Sequence, residues 1–142
     1  MKLLPVVVLL LTQGVLAQEM PKHKLLVEVS NLTNQKGHKL YVGLYRQQDQ
    51  FPEFNHNYMN RVIEVRSATV TVMFEVPFGS YAIALSHDLN DNGEIDKNLF
   101  GYPKEPFGFS QNRKPKLGPP GFDECKFNFE KDNQQLTIAA IH

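Results

Sequence analysis

The chain has 142 residues, its 15 Lys and Arg balance its 15 Asp and Glu, and its single cysteine is Cys125. The balanced charge excludes the broad basic field that holds a polyanion, so we expect no nucleic-acid partner. A single cysteine excludes an internal disulfide, and the alternating Phe127 and Phe129 behind it favour a buried thiol over one that pairs between chains.

A secretory signal peptide is predicted at residues 1–17. The chain begins with Met-Lys, continues with an apolar run over residues 3–11, and reaches Val-Leu-Ala at residues 15–17. The apolar run is shorter than the roughly 20 residues of a membrane span, and a cleavage sequence follows it. We expect cleavage after Ala17, which leaves residues 18–142 as one domain in the periplasm or outside the cell, without a membrane span. The alternative is an uncleaved N-terminal anchor.

Seven segments alternate in the period of two that is typical of β-strands, most clearly at Leu25, Val27 and Val29. The predicted strands are residues 25–30, 40–45, 61–67, 69–76, 81–87, 127–129 and 135–141. No segment combines a helical period with capping residues. The pattern predicts an all-β fold, an antiparallel β-sandwich of seven to eight strands with an immunoglobulin-like architecture.

Three connecting regions interrupt the predicted strands. Residues 77–80, Pro-Phe-Gly-Ser, predict a hairpin between the strands on either side. Residues 47–60 and 88–124 are irregular, and the second region is longer than ordinary loops of compact domains. We expect this long loop to be ordered and packed on the sandwich because it carries many large apolar side chains: Leu99, Phe100, Tyr102, Phe107, Phe109, Leu117 and Phe122.

The start of the long loop has the spacing of a cation-binding turn. Asp88, Asn90 and Asn92 place oxygen-bearing side chains at alternate positions, and a glycine follows the third. Such oxygens suit Ca²⁺, and glycine readily takes the positive φ of a sharp turn. The carbonyl of Glu94 and the carboxylate of Asp96 would add ligands. The sequence therefore predicts Ca²⁺ as the candidate cofactor, bound with the weak affinity, ~10⁻⁴–10⁻³ M, of extracellular modules.

The turn differs from an EF-hand, because Leu99 stands where that motif carries its bidentate Glu. A calcium site would need a further ligand, such as Asp91 or Glu105. The alternative is an ion-free turn in which the Asp and Asn side chains cap their own backbone. Both interpretations are compatible with the sequence.

Catalytic combinations of residues are sparse, so we expect a protein that is not an enzyme. Ser86, His87 and Asp88 are consecutive, and neighbouring residues of a strand point to opposite faces, which prevents a relay. We expect His87 to order the loop by hydrogen bonding. A small hydrolase that uses the loop carboxylates is a third hypothesis, after a secreted carbohydrate-binding module. That module would stack sugars on aromatic residues that otherwise form a small core under the loop: Tyr102, Phe107, Phe109 and Phe122.

Four long motifs carry a family resemblance. Residues 78–84 read F-G-S-Y-A-I-A, residues 87–96 read H-D-L-N-D-N-G-E-I-D, residues 100–110 read F-G-Y-P-K-E-P-F-G-F-S, and residues 118–122 read G-P-P-G-F. Together they resemble the bacterial domain-of-unknown-function family 2141, small exported proteins, over nearly the whole mature chain. The resemblance implies a periplasmic or secreted β-sandwich without a known activity, more distantly similar to transthyretin-like domains. We expect a structural or binding role, with an unidentified protein or glycan of the cell envelope as partner.

Overall fold

The computed structural model describes residues 14, 17–33 and 36–142. Most of the predicted signal peptide therefore lies outside the described residues, and its cleavage stays a prediction. The described strands are β1 (His23–Ser30), β2 (Lys39–Tyr45), β3 (Met59–Glu64), β4 (Val70–Val76), β5 (Gly79–Asp88), β6 (Phe107–Phe109), β7 (Phe127–Phe129) and β8 (Gln134–Ala139). A four-residue helix, α1 (Phe122–Cys125), precedes β7.

The strands form two sheets whose inner faces enclose the main core. The first sheet has the order β4-β1-β8, and the second has the order β3-β2-β5-β6, with β7 also paired to β5. The alternation of β1 buries Leu25, Val27 and Val29 completely, and β2 and β4 contribute in the same way. Burial of each such side chain stabilises the fold by roughly 1.5–3 kcal/mol. The prediction of an all-β sandwich is confirmed.

One strand pair departs from the predicted antiparallel arrangement. β1 and β8 run parallel, with Leu25 opposite Gln134 and Ser30 opposite Ala139. The other described pairs of named strands are antiparallel. Side chains alternate in the same way in both kinds of pair, so the hydrophobic pattern does not report strand direction.

The predicted hairpin at residues 77–80 is wrong. β4 pairs with β1 in the first sheet, whereas β5 pairs with β2 in the second, so this connection passes from one sheet to the other. Pro77 has no backbone N–H to extend a ladder. The hydroxyl of Tyr81 donates a hydrogen bond to the carbonyl of Pro77 at 2.8 Å and fixes the crossing. The turn residues mark a change of direction, but the pairing partner is chosen by packing elsewhere.

β5 is buried on both faces and positions the long loop. Tyr81, Ile83 and Leu85 face the main core, whereas Ala82 and Ala84 face a second cluster on the outer side of the second sheet. The remaining buried members of this cluster are Tyr45, Phe107, Phe109 and Cys125. β6, which the sequence pattern did not reveal, lies within the long loop and pairs with β5. The expected packing of the loop and the expected burial of Cys125 are thus confirmed for this part of the chain.

Candidate functional site

The turn predicted to bind a cation, residues 88–96 (the Asx turn), is built on the end of β5. Asp88 is only 2% exposed. Its Oδ2 accepts a hydrogen bond from the backbone N–H of Gly93 at 2.8 Å, and its Oδ1 accepts one from the backbone N–H of Asn92 at 3.3 Å. Gly93 has a φ of +74°, the left-handed conformation expected there. Asp88 therefore anchors the turn as a buried cap.

The other predicted ligands bond to one another and to the backbone. Asp96 accepts hydrogen bonds from the side-chain amides of Asn90, at 2.5 Å, and Asn92, at 3.0 Å. The Oδ1 of Asn90 accepts the N–H of Asn92 at 3.2 Å, and the Oδ1 of Asn92 accepts the N–H of Glu94 at 2.9 Å. The structure thus brings Asp88, Asn90, Asn92 and Asp96 together, while the side chain of Glu94 is exposed. Within the described residues, no three His, Cys, Asp or Glu side chains are grouped as a metal site.

Glu105, two residues before β6, closes the Asx turn. Its Oε1 accepts hydrogen bonds from the backbone N–H of Leu89 at 2.9 Å and of Asn90 at 3.3 Å. The residue is 7% exposed, and its second oxygen, Oε2, is buried without a partner in the described part of the chain. Asp91, the other suggested extra ligand, instead contacts Nδ1 of His38 at 2.8 Å.

His87 lies in the main core, next to the Asx turn in sequence. Its side chain is fully buried, and among the described residues neither ring nitrogen has a hydrogen-bond partner. Burial lowers the pKa of His87, with His38 and His142 acting in the same direction and Asp88 opposing them. The expectation that its ring orders the loop by hydrogen bonding is wrong. Only its backbone N–H does so, by donating to the carbonyl of Pro106 at 2.8 Å.

A cavity of about 340 Å³, the loop cavity, lies between the outer face of the second sheet and three loop segments. Ala84, Ser86 and Phe107 contribute to its lining from the sheet. Three loop segments line it: residues 52–54, residues 95, 97 and 100–103, and residues 115–119. A second cavity of about 460 Å³ adjoins it and shares five lining residues, namely Glu53, Phe54, Ser86, Ile95 and Lys97. The Asx turn therefore ends in the wall of both cavities.

The apolar side chains of the long loop divide into a buried and an exposed group. Phe107 and Phe109 are 3% and 7% exposed and belong to the second cluster. Phe100 and Leu117, which line the loop cavity, are 94% and 106% exposed, and Tyr102 is 40% exposed. Leu99 is also fully exposed but lies outside the cavity lining. The expected packing of the whole loop is therefore confirmed for β6 and is wrong for the segments that carry Phe100 and Leu117.

Comparison with models of known protein families gives one match. The family model described as "Uncharacterized protein conserved in bacteria (DUF2141)" matches residues 27–137. The chain belongs to this family. No curated protein and no solved structure matches it. The match runs from within β1 into β8 and includes the Asx turn and the loop cavity, so the resemblance drawn from the motifs is confirmed.

For this DUF2141 protein, sequence reasoning identified the Asx turn but missed the loop cavity. The cavity needs three segments that are far apart in sequence, and no local pattern reports their meeting. The available signal was Phe100, a large apolar residue in a stretch without strand alternation. Across the described residues, no helix has the length and hydropathy required to cross a membrane.

Proposed function

We propose that this DUF2141 protein is an exported, non-catalytic domain that binds a ligand at the cell envelope through the loop cavity. The observation that carries the proposal is the exposure of Phe100 and Leu117, at 94% and 106%, in the lining of a 340 Å³ cavity. Large apolar side chains are unfavourable in water, so their exposure often marks a binding site. Concave apolar sites of this size are typical of ligand-binding proteins. A ligand that covers both side chains gains roughly 25 cal/mol per Å² of apolar surface.

A non-catalytic role is supported by how the nearby carboxylates are used. The oxygens of Asp88 and one oxygen of Glu105 accept backbone N–H groups of the Asx turn. Carboxylate oxygens that already accept backbone N–H groups are engaged in holding the turn and are not free to exchange a proton with a substrate. His87 is sealed in the core, away from any bound ligand. These contacts favour a structural use of the residues that a small hydrolase would need.

Binding of the uncharged fluorescent probe N-phenyl-1-naphthylamine tests the proposal. We expect saturable fluorescence enhancement with the native protein. Leu117→Ala should weaken this binding about fivefold to tenfold, because it removes apolar contact surface. Leu99→Ala is the matched control, since Leu99 is equally exposed in the same loop but does not line the cavity. No enhancement, or equal weakening by both variants, contradicts the proposal.

Export is tested separately by expressing the full chain in a bacterium and fractionating the cells. We expect a mature protein that begins at Gln18 in the periplasm or the medium. A protein that retains Met1 and stays in the cytoplasm would contradict this part of the proposal.

The carbohydrate-binding alternative has weaker support. Phe107 and Phe109 are buried in the second cluster, so they have no free ring face for a sugar. The exposed rings of the loop are those of Phe100 and Tyr102, and Phe lacks the polar group that sugar platforms use. Stabilisation by an envelope glycan in a melting panel, lost in Tyr102→Ala, would favour this alternative.

A calcium-binding Asx turn is the second candidate function, and the buried, unpartnered Oε2 of Glu105 is the observation that favours it. With the Asn amides rotated, Asp88, Asn90, Asn92, the carbonyl of Glu94 and Asp96 would add oxygens. We expect millimolar Ca²⁺ to raise the melting temperature of the native protein relative to EGTA. Asp88→Asn should abolish that rise, because it removes one full ligand charge. If neither protein responds, the turn is ion-free.

A further inference from the structure

We propose that the loop cavity takes an anionic amphiphile, a single molecule with a hydrocarbon body and a carboxylate or phosphate head. The inference rests on the proposed binding function and adds the chemical class of the ligand. Two independent properties of the loop support it, namely the size and apolar lining of the cavity and the charge around its mouth.

The size of the cavity fits a medium-length hydrocarbon body. Its volume of about 340 Å³ is at the lower end of the range for small-molecule sites. A water-sized group occupies ~30 Å³ in the liquid, so the space holds roughly ten such groups, the equivalent of a ten-carbon chain. Ala84 and Phe107 lie on the sheet side, while Phe100 and Leu117 are exposed to solvent. A hydrocarbon chain between them would remove from water the parts of Phe100 and Leu117 that face the cavity.

The charge of the loop selects the head group. Residues 97–117 contain five basic residues in a chain of zero net charge: Lys97, Lys104, Arg113, Lys114 and Lys116. The one acidic residue of this segment is Glu105, which is buried and turned toward the Asx turn. Across residues 36–142, none of these five cations forms an ion pair with a carboxylate. The segment therefore presents positive charge that its own fold does not neutralise.

Two of these cations are placed to meet the head of a bound molecule. Lys97 and Lys116 both line the loop cavity, on different loop segments. Glu53 is the one acidic residue among the described cavity lining, and it is exposed. An anionic head between the two lysines gains charge-assisted contacts, whereas a cationic head would meet two like charges. The two lysines thus outweigh Glu53 and favour an anion.

Displacement of N-phenyl-1-naphthylamine by three ten-carbon amphiphiles tests the inference. Decanoate, decanol and decyltrimethylammonium have the same chain and carry negative, neutral and positive heads. We expect decanoate to displace the probe at a concentration about fivefold to tenfold lower than decanol, with the cationic amphiphile weakest. In 0.5 M NaCl the advantage of decanoate should shrink, because the charges are exposed to solvent. Equal displacement by all three overturns the inference but leaves the proposed binding function intact, whereas failure of the probe to bind removes both.

Matched variants locate the charge effect. Lys97→Gln/Lys116→Gln should make decanoate and decanol equivalent, and Glu53→Gln should strengthen decanoate binding. Lys114→Gln is the control, because Lys114 belongs to the same basic segment but does not line the cavity. These residues are exposed, so the variants should melt like the native protein. Retained selectivity in the double variant, or equal loss in the control, overturns the inference.

A binding experiment with lipid vesicles distinguishes binding of a single amphiphile molecule from docking on a membrane surface. We expect dispersed decanoate, or a short-chain monoalkyl phosphate below its micelle concentration, to bind the protein in the absence of a bilayer. Cosedimentation with phosphatidylglycerol vesicles but not with phosphatidylcholine vesicles, without any displacement by the dispersed amphiphiles, would show surface docking and overturn the inference.

Discussion

The carboxylate of Glu105 accepts a hydrogen bond from the backbone N–H of Leu89 at 2.9 Å, although the two residues are 16 positions apart in sequence. Leu89 is the first residue after β5, and Glu105 lies two residues before β6. The bond therefore closes the outer half of the long loop into a ring whose two ends are both held on the second sheet.

Glu105→Ala should lower the free energy of unfolding by about 2–3 kcal/mol, because it leaves two backbone N–H groups of the turn without their charged acceptor. Urea denaturation followed by circular dichroism measures the loss. Glu94→Ala is the control, since the side chain of Glu94 is exposed on the same turn. Its effect should stay within about 0.5 kcal/mol. Equal effects of the two substitutions would show that Glu105 does not hold the loop.

Among the acidic residues of the Asx turn, Asp88 should contribute the most to the free energy of unfolding. Asp88→Ala removes the buried cap on Asn92 and Gly93 and should cost about 1.5–3 kcal/mol of unfolding free energy. Asp88→Asn keeps one accepting oxygen and should cost less. Asp91→Asn suits the φ of +55° at this position and weakens only the exposed contact with His38, whose loss is worth about 0.2–1 kcal/mol. A larger loss for Asp91→Asn than for Asp88→Ala, measured in EGTA, would refute this ranking.

Truncation of buried and exposed phenylalanines of the same loop should have very different effects on stability. Phe107→Ala or Phe109→Ala should destabilise the protein by about 3–5 kcal/mol, because each ring is buried in the second cluster. Phe100→Ala should change stability by less than about 0.5 kcal/mol, since that ring is exposed. Thermal melting of the three variants checks the contrast. Similar melting temperatures for all three would contradict the division of the loop into a packed and an exposed half.

The stability of the protein should fall on acidification because of His87. Burial lowers the pKa of His87 in the folded state below the value of about 6.5 of an unfolded chain. Above that pH both states are neutral at this site. As the pH falls from about 6.5 toward the folded pKa, only the unfolded chain takes up the proton, so stability declines by up to about 1.4 kcal/mol per pH unit.

The contribution of His87 is isolated by comparison with His87→Leu. Urea midpoints between pH 7.5 and pH 5, measured in EGTA, should fall more steeply for the native protein than for this variant. His38 and His142, which lower the pKa of His87, and Asp88 and Asp91, which raise it, remain in both proteins. His56→Gln, a substitution at an exposed histidine, should keep the native slope. Parallel slopes for the native protein and His87→Leu would refute the effect.

The thiol of Cys125 should be unreactive in the native protein. Cys125 is fully buried in the second cluster, and burial raises the pKa of its thiol to about 11, so the thiolate is scarce near neutral pH. We expect slow labelling by 5,5′-dithiobis(2-nitrobenzoic acid) at pH 8 and complete labelling in 6 M guanidinium chloride. Rapid stoichiometric labelling of the native protein would show that the cluster is open.

The strands and the Asx turn were predictable because their signals are local. Leu25, Val27 and Val29 alternate in the chain and are buried on one face in the structure. Asp88 was recognised as the leading residue of a tight turn, and it holds that turn through two backbone N–H groups. Both features depend on neighbours within a few residues, which the sequence displays directly.

The burial of the loop, the pairing of β4 and β5, and the loop cavity depend on contacts between residues that are far apart in sequence. Phe100 and Phe107 are the same residue type in one loop, yet the first is exposed and the second is buried, because only the second meets β5. The hairpin expected at residues 77–80 failed for the same reason, since β1 and β2 decide where β4 and β5 pair. The loop cavity combines three segments, so its existence is a property of the assembled fold.

The parallel pairing of β1 with β8 has a consequence for how the molecule is made. Residues 25–30 of β1 each pair with a β8 residue 109 positions later in the chain, so the partner strand is synthesised long after β1. Contacts between such distant parts of a chain form slowly, because closing the long intervening loop costs conformational entropy before the contact is made. The first sheet therefore reaches its full width only after β8 has left the ribosome. Until then the growing polypeptide keeps an open edge along β1, the state in which a chaperone would find it.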